Sequence, residues 1–569
     1  MLTCRAATSA SLSPPLGSLP DPFRGRLLGP PPADQHWWDA LLFAGPLVLR
    51  TGPEQAALVG GKAWRMYYHG RDTEEWGKGV CAQPGTPFGR VGLAVSSDGI
   101  TWERYHGPLP GGAVFDPSDD PSAFDSVHVG CSDVLLLPDG TWLMLYYAGG
   151  LDPGRFPAWP AGKTALGARM RCGVATSTDG VRWQRAKAPF LDVGDVGSWD
   201  ELAVSWPRLH SNTGAFTGVP HNGSNWKGKT SEGAVGKEGG GGGETERATA
   251  KDAVLPSFAE IADADWLLTY QSVGDPHAPG HAYMGEDGEV DRVPESLPQY
   301  CYTIGSAAFD PSTKAWASVS AEGSWGHGTK QGPTVAISCT LGVFSLPLVL
   351  PARTKKGSCI RRGPLGAWDE AGANRRHVVP LASFGPKAVR KWEEELRGQK
   401  EHMEQQEQKE QPGGQKEDIC AAGEGSIPPV LLMFYEGARY NGTYSIGLAY
   451  SADGGETWEK AQHVGPEPGG PILQPRFGEE VWDNLLVGTP HLVVMGEGVE
   501  GGSEEAREGK CEGGGEEVSE GEVGSGRVLL YYTGVGEVNG CGRVRGIGAA
   551  VWDGGETGDL NKWRRLFVD

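Results

Sequence analysis

The sequence predicts an all-β fold, a five-bladed β-propeller of four-stranded antiparallel blades with long disordered insertions. Two observations predict it. Three short patterns each occur five times along the chain, and five such units can close into a ring that leaves few strand edges exposed. The 569 residues also include 89 Gly and 20 Trp, which indicates a folded core diluted by glycine-rich insertions.

The first pattern in each repeat is an aromatic residue followed by Asp and then by a short run of apolar residues. We expect it to form the innermost strand of each blade. Because the Asp recurs in every copy, we predict that it has a structural role and bonds backbone amides. The copies are WDALLFAGPLVL (38–49), FDSVHVGCSDVL (124–135), WDELAVSWPRLH (199–210), WDEAGANRRHVV (368–379) and WDNLLVGTPHLV (482–493).

The second pattern is a short aromatic and apolar run, which is typical of a buried strand. The third is a G-x-A-x-S-x-D-G-x-x-W phrase, best seen at 92–104, 173–185 and 447–460, with weaker copies at 305–318 and 548–565. Asp and Gly suit a hairpin turn, and we expect the following Trp to pack between repeats. The copies of the second pattern are WRMYYHG (64–70), WLMLYYAGG (142–150), WLLTYQSV (266–273), LLMFYEG (431–437) and VLLYYTG (528–534).

The chain divides into an N-terminal segment, residues 1–35, and a single propeller domain, residues 36–569. The N-terminal segment is predicted to be disordered or a transit peptide, because its first 20 residues are rich in Ser, Ala and Leu and lack acidic residues. A plastid location is therefore expected, with the cytoplasm as the alternative. Three insertions of biased composition are predicted to be disordered: about 211–252, 388–424 and 496–526.

Composition excludes several functional classes. A formal net charge of −21 argues against a nucleic-acid partner, and no apolar run is long enough to span a membrane. None of the ten Cys forms a C-x-x-C pair, so a zinc site or redox dithiol is not expected. We predict no cofactor and no metal, although His377, His491 and Asp133 could ligate an ion at the channel axis. The sequence leaves the oligomeric state open.

Candidate functional residues lie in the first pattern, at the sixth and eighth positions after its Asp. With regular alternation, both positions face the same way. Four of the five eighth-position residues are polar in an otherwise apolar strand, which favours a functional channel; the alternative is a buried cluster in which Asp133 pairs with Arg208 and ties blades together. The sixth-position residues are Gly45, Cys131, Trp206, Arg375 and Thr489, and the eighth-position residues are Leu47, Asp133, Arg208, His377 and His491.

The second pattern supplies two further candidates. His69 and Glu436 stand where the other repeats have neutral residues, and Arg71 and Arg439 follow them closely. A departure from the repeat in one blade is what a site grafted on a symmetric scaffold produces. The alternative is ordinary polarity at a strand end.

The three patterns together resemble the five-bladed propellers of glycoside hydrolase families 43, 32, 68 and 130, the arabinanase, levansucrase and invertase superfamily. The resemblance covers about residues 36–568, apart from the insertions. SADGGETW (451–458) also resembles the Asp-box of sialidases, a structural turn there. The superfamily often has a catalytic Asp directly before the Pro of the innermost strand, and this chain has no Asp in that column.

The resemblance implies glycoside chemistry carried out by paired carboxylates. We expect Asp133 to act as base or nucleophile and Glu436 as general acid, with Glu201 as a third carboxylate. Tyr68, Trp206 and Tyr435 are candidates for stacking on sugar rings. The remaining predicted substrate-binding residues are His69, Arg71, His128, Arg208, His377, Arg439 and His491.

Two functional hypotheses follow from the sequence. The first is a glycosidase or glycosyl-transferring enzyme that acts on an oligosaccharide. The second is a non-catalytic propeller that binds a glycan or a protein. Two carboxylates within roughly 5–10 Å of each other favour the enzyme, whereas Asp133 held in a structural pairing favours the binding protein.

Overall fold

The computed structural model describes residues 21–72, 89–155, 164–211, 266–310, 315–317, 336–349, 358–398, 430–495 and 527–567, with short gaps inside some of these ranges. The greater part of the three predicted insertions and the first 20 residues lie outside these ranges. In the described parts the chain is mostly β-structure with few helices, so the all-β prediction is confirmed.

The strands run in chain order through the described ranges. A short helix, α1 (Pro53–Ala57), follows the second strand, and residues 386–395 are also helical. The strands are β1 (Arg26–Leu28), β2 (Leu42–Arg50), β3 (Trp64–Arg71), β4 (Arg90–Ser96), β5 (Glu103–Tyr105), β6 (His128–Leu136), β7 (Trp142–Gly149), β8 (Pro153–Arg155), β9 (Thr164–Leu166), β10 (Met170–Ser177), β11 (Gln184–Arg185), β12 (Val204–Ser211), β13 (Trp266–Gly274), β14 (Cys301–Asp310), β15 (Ala315–Ala317), β16 (Ala336–Leu341), β17 (Phe344–Val349), β18 (Ser358–Ile360), β19 (Gly372–Pro380), β20 (Leu431–Ala438), β21 (Tyr444–Ser451), β22 (Glu459–Lys460), β23 (Leu486–Met495), β24 (Arg527–Val538), β25 (Gly542–Trp552) and β26 (Trp563–Arg565).

Within the described residues, the main strands pair antiparallel in five consecutive groups, here called arrays 1 to 5. Single parallel pairs link array 3 to array 4 and array 4 to array 5, so these three arrays belong to one continuous 16-stranded sheet. The arrays are β2-β3-β4-β5, β6-β7-β10-β11, β12-β13-β14-β15, β19-β20-β21-β22 and β23-β24-β25-β26.

The hydrophobic core consists of clusters that lie between successive arrays. Four clusters join array 1 to 2, 2 to 3, 3 to 4 and 4 to 5. A fifth cluster joins array 5 back to array 1, for example through Val48 and Met66 against Leu529 and Ala549. The arrays therefore contact one another cyclically through buried side chains.

Polar contacts follow the same cyclic order. The hydroxyl of Tyr67 on β3 donates to Gly180 O in the third-pattern turn of array 2, at 2.8 Å. The equivalent hydroxyl of Tyr531 on β24 donates to Gly99 O in the turn of array 1, at 2.6 Å. Trp102 follows that turn and packs edge-to-face on Tyr531, so the prediction that this Trp packs between repeats is confirmed at this position.

The Asp residues of the third-pattern turns have the predicted local role. In the first copy, Asp98 Oδ1 accepts the backbone N–H groups of Ile100 and Thr101, and Ser96 Oγ donates to the same oxygen. Asp179 repeats this arrangement with Val181 and Arg182. These carboxylates stabilise their own turns.

The Asp of the first pattern is structural in a different way from the prediction. Asp483 does not cap a turn through backbone amides. Its carboxylate accepts from the Tyr532 hydroxyl at 3.0 Å and from Arg565 Nε and Arg476 Nε at 2.7 Å each. The same Asp–Tyr–cation arrangement occurs at Asp39, Asp125 and Asp369. These Asp side chains are buried, and the groups that donate to them are Tyr hydroxyls and Arg or Lys side chains in place of turn amides.

Two predicted boundaries are corrected by the described residues. Part of the segment expected to be disordered before residue 36 is ordered, because β1 pairs with β25 and Trp482 Nε1 donates to Arg24 O. The insertion predicted from residue 388 begins with helical residues, and Trp392 is buried among core residues of arrays 4 and 5. Both segments are ordered because each places an apolar side chain in the core, Leu28 in the first and Trp392 in the second. No helix among the described residues is long and apolar enough to cross a membrane.

Candidate functional site

The pairing register shifts in the middle of the innermost strand of every array, at or beside the sixth-position column. Gly45, Trp206 and Thr489 have positive φ there, at 73°, 52° and 54°. A bulge of this kind bends a strand and redirects its side chains. The polar residues of the sixth and eighth positions therefore belong to two separate clusters, and for them the prediction that the two positions face the same way is wrong; Cys131 and Leu47 share one apolar cluster.

The first group, here called the Glu436 cluster, contains the predicted carboxylate Glu436. Its side chain is fully buried, and Arg375 Nη1 lies 3.3 Å from each of its oxygens. The backbone N–H of Thr489 donates to Glu436 Oε2 at 2.8 Å. Residues of two other strands, β19 and β23, thus fix the carboxylate of Glu436. The Glu436 cluster comprises His69, His128, Tyr147, Trp206, Arg375, Glu436 and Thr489.

Aromatic side chains form one wall of the Glu436 cluster. The Trp206 and Tyr147 rings lie 4.6 Å apart between centroids, tilted by 32°. The guanidinium of Arg375 lies over Trp206, 4.5 Å from its centroid. His69 meets Trp206 edge-on at 5.3 Å. Tyr147 and His69 are partly exposed, and the Arg375 side chain is 31 % exposed, so this wall reaches solvent.

Positive charge surrounds His69. Burial, followed by the nearby cations Arg375 and Arg71, lowers the pKa of His69 to about 3, which keeps the imidazole neutral near pH 7. Its Nδ1 is buried and has no hydrogen-bond partner among the described residues. His128, also predicted as a binding residue, has its pKa lowered by burial and donates Nε2–H to Gly167 O at 2.9 Å.

The second group, here called the Arg208 cluster, contains the eighth-position residues. His491 donates Nε2–H to Val48 O at 2.9 Å and accepts from Arg208 Nη1 at Nδ1, at 3.1 Å. The His377 ring stacks on the His491 ring with centroids 4.4 Å apart. Burial is the main cause that lowers the pKa of His491, to about 3. The Arg208 cluster comprises Asp133, Arg208, His210, Thr269, Arg376, His377 and His491.

Asp133 is held by backbone amides, whereas the alternative that the sequence left open was a pairing with Arg208. Its Oδ2 accepts the N–H of Leu209 in the next array at 2.9 Å, and its Oδ1 accepts the N–H of Val134 at 3.1 Å. His377 Nδ1 similarly accepts the N–H of Leu492, at 2.8 Å. These side chains tie neighbouring innermost strands together. Burial raises the pKa of Asp133, and Arg208 opposes that rise.

The predicted site residues are therefore divided. His69, His128, Trp206 and Glu436 come together, with Arg71 close enough to affect His69. Asp133, Arg208, His377 and His491 form the Arg208 cluster. Glu201 lies partly exposed in the turn before β12, and Arg439 is exposed in the turn after β20.

Tyr68 and Tyr435 are not platforms for sugar rings. Both are buried, and their hydroxyls donate to Asp39 and Asp369. Sequence reasoning missed Tyr147 as a site residue, and it left Arg375 and Thr489 out of the predicted site although both stand in the same column as Trp206. That shared column is the signal that could have found the latter two.

Three of the histidine nitrogens in the Arg208 cluster that could ligate a metal ion already have hydrogen-bond partners. His377 Nδ1 accepts a backbone amide, and both His491 nitrogens have partners. In the described part of the chain, no group of three or more His, Cys, Asp or Glu has the arrangement of a metal site.

Comparisons with known proteins give the following. No family model and no curated protein matches the chain. Solved structures similar to it include a glycosyl hydrolase from Bacteroides ovatus, at 12 % identity, with a TM-score of 0.41 and coverage of 98 % of both chains. A thermostable family-43 glycoside hydrolase is similar at 12 % identity, with a TM-score of 0.38 and coverage of 90 % of this chain and 91 % of the other.

A third similar structure is described as belonging to the GH130 family of mannoside phosphorylases, which contains glycoside hydrolases that target β-1,2 mannosidic linkages in Candida mannan. It is 12 % identical, with a TM-score of 0.39 and coverage of 97 % of this chain and 98 % of the other.

Proposed function

We propose that the Glu436 cluster is a carbohydrate site at which Glu436 acts as acid or base on a glycosidic bond. The observation that supports this most is the combination of one buried, oriented carboxylate with an adjoining aromatic wall that reaches solvent. Aromatic rings bury the apolar faces of a sugar. A carboxylate held by Arg375 at two equal distances keeps a fixed orientation toward a bound ligand.

Neutral and cationic groups around Glu436 suit the polar edge of a sugar. His69 Nδ1 has no hydrogen-bond partner among the described residues, so it can form a hydrogen bond with a sugar hydroxyl group. Because positive charge develops on the sugar ring in the transition state of glycosidic bond cleavage, Arg375 would act on an anionic acceptor and not on the ring.

The reaction that Glu436 can carry out depends on whether a second carboxylate assists it. Asp133 is engaged with backbone amides in the Arg208 cluster, so it does not serve as the partner of Glu436 in this proposal. A water or an oxyanion such as phosphate would then be the acceptor of the glycosyl group. Arg71 and Arg375 carry the charge that an oxyanion needs.

The second candidate function is glycan binding without bond cleavage. The observation that favours it is the same structural engagement of Asp133, because most glycosidases use two carboxylates. The two candidates share the ligand class and the binding residues, and they differ only in turnover.

We further propose that the five arrays are the blades of a closed propeller. The cyclic order of the core clusters and the Tyr531–Gly99 hydrogen bond between arrays 5 and 1 support this proposal. Side chains of the first-pattern strands then converge on a common axis, which is where propellers bind ligands.

The test is turnover of a panel of oligosaccharides and aryl glycosides, with and without phosphate, by the wild type, Glu436→Gln and Glu54→Gln. Glu436→Gln keeps the size of the side chain, and Glu54→Gln is a matched control at an exposed position of α1. We expect turnover to fall at least about 100-fold in Glu436→Gln and to stay near wild type in the control. Turnover that Glu436→Gln leaves intact would refute the proposal, and glycan binding without turnover would establish the second candidate.

A further inference from the structure

The Arg208 cluster holds more positive than negative charge in a buried place. Arg376 and Arg208 are 1 % and 5 % exposed. Asp133 is the carboxylate in electrostatic contact with both, and its two oxygens are already bonded to the amides of Val134 and Leu209. Burying a charge without a partner costs several kcal/mol. The cluster is therefore short of one negative charge.

The geometry shows that the two guanidinium groups approach the same place. Arg208 pairs directly with Thr269 across β12 and β13, so their side chains lie on the same face of the array. Arg376 Nε donates to Thr269 Oγ1 at 2.9 Å from the neighbouring array. Burial, followed by the nearby charge of Arg208, lowers the pKa of Arg376 to about 9. Both groups remain charged near pH 7.

The terminal nitrogens of Arg376 are without partners. Nη1 and Nη2 are both buried and make no hydrogen bond to any described residue. The three histidines nearby do not supply an acceptor charge, because His210, His377 and His491 are neutral bases whose pKa values burial lowers. His210 is moreover already bonded to Thr269 Oγ1. Two forked N–H donors are thus left without an acceptor among the residues that the structure describes.

We propose that the Arg208 cluster binds one small inorganic anion of the halide class, held by Arg376 with Arg208 beside it. The burial of the cluster favours a small anion, since the seven side chains that define it are buried or partly buried. The anion would neutralise the excess charge where β6, β12, β19 and β23 contribute residues to the cluster. Its role would be to stabilise the junction of arrays 2 to 5, separate from the chemistry at Glu436.

Thermal unfolding of the full chain in sodium chloride, sodium bromide and sodium gluconate, at equal ionic strength, tests the proposal. A ligand that binds only the folded state raises Tm with its concentration. We expect chloride and bromide to raise Tm by a few degrees above gluconate in the wild type. Arg376→Gln should lose that difference, because it removes the guanidinium and keeps a polar side chain.

Arg362→Gln is the matched control. Arg362 is equally buried, but it has partners in Asp291 and Gly363. It should unfold at a lower temperature and still respond to chloride. Equal responses of all three proteins, or none in any of them, would overturn the proposal. If Arg376→Gln does not fold, anomalous diffraction from bromide-soaked wild-type crystals decides: a peak within hydrogen-bond distance of Arg376 Nη supports the site, and its absence refutes it.

Discussion

At the scale of single residues, Gly45 shows how backbone geometry opens the candidate site. Its φ is +73°, and a Cβ added there would lie 2.7 Å from His69 Nδ1. Only glycine adopts this conformation without strain and leaves the imidazole its space. Gly60 has the same φ, and a Cβ there would meet nothing within 4 Å, so the two positions separate the effect of strain from that of crowding.

We predict that Gly45→Ala and Gly60→Ala each lose about 1–2 kcal/mol of unfolding free energy from left-handed strain. Gly45→Ala should in addition weaken glycan binding, because the new methyl group displaces His69. Denaturant unfolding and ligand titration measure the two effects. Weakened binding in Gly60→Ala, or normal binding in Gly45→Ala, would show that His69 does not shape the site.

The pH dependence of stability should report the buried histidines. The pKa of His491 is lowered from 6.5 to about 3, so the unfolded chain binds a proton that the folded chain rejects between these values. The contribution to stability is complete above pH 6.5 and is lost as the pH falls, by about 1.4 kcal/mol per unit. Urea unfolding from pH 7 to 4.5 should show that the unfolding free energy changes less steeply with pH in His491→Gln than in the wild type, by the equivalent of one proton.

His36→Gln is the control for that experiment, because His36 is exposed. It should keep the wild-type slope. If His491→Gln also keeps it, His491 is protonated in the folded state and the hydrogen-bond assignment in the Arg208 cluster is incorrect.

At the scale of elements, the repeated Asp–Tyr–cation group stabilises arrays 1, 2, 4 and 5. Asp483 is fully buried and receives the Tyr532 hydroxyl and two arginines. Removal of one partner from a buried ion pair leaves the others without compensation. We predict that Asp483→Asn loses about 3 kcal/mol of unfolding free energy.

Asp553→Asn provides the comparison, since Asp553 forms an exposed pair with Arg564. It should lose at most about 0.5 kcal/mol. Denaturant unfolding of both variants tests the prediction, and equal losses would mean that the repeated Asp does not hold the array.

Local features of the elements could be predicted from the sequence, whereas features that depend on the bulge could not. The turn role of Asp98 follows from residues within three positions of it, and the strands follow from their apolar runs. Trp206 and Arg208 lie in different clusters because the pairing register shifts between Ser205 and Arg208. A regular strand, in which alternate side chains face the same side, would not predict this. The approach of Arg375 to Glu436 depends on the register in which β19 pairs with β20 across the bulge, which no spacing along the chain reports.

At the scale of the whole molecule, closure of the ring can be tested at the junction of arrays 5 and 1. Tyr531 donates to Gly99 O there, and Tyr67 donates to Gly180 O at the junction of arrays 1 and 2. We predict that Tyr531→Phe and Tyr67→Phe each lose about 1 kcal/mol of unfolding free energy. A loss in Tyr67→Phe alone would indicate that the ring is open between the first and last arrays.

The central claim is that the Glu436 cluster binds carbohydrate, and glycan binding by the wild type and Trp206→Ala tests it most directly. Trp458→Phe, at a buried core position away from the cluster, is the control. We predict that an oligosaccharide bound by the wild type and by Trp458→Phe loses at least about tenfold in affinity in Trp206→Ala, because the sugar loses its stacking surface. Equal affinity in Trp206→Ala and the wild type would place the glycan elsewhere and contradict the account.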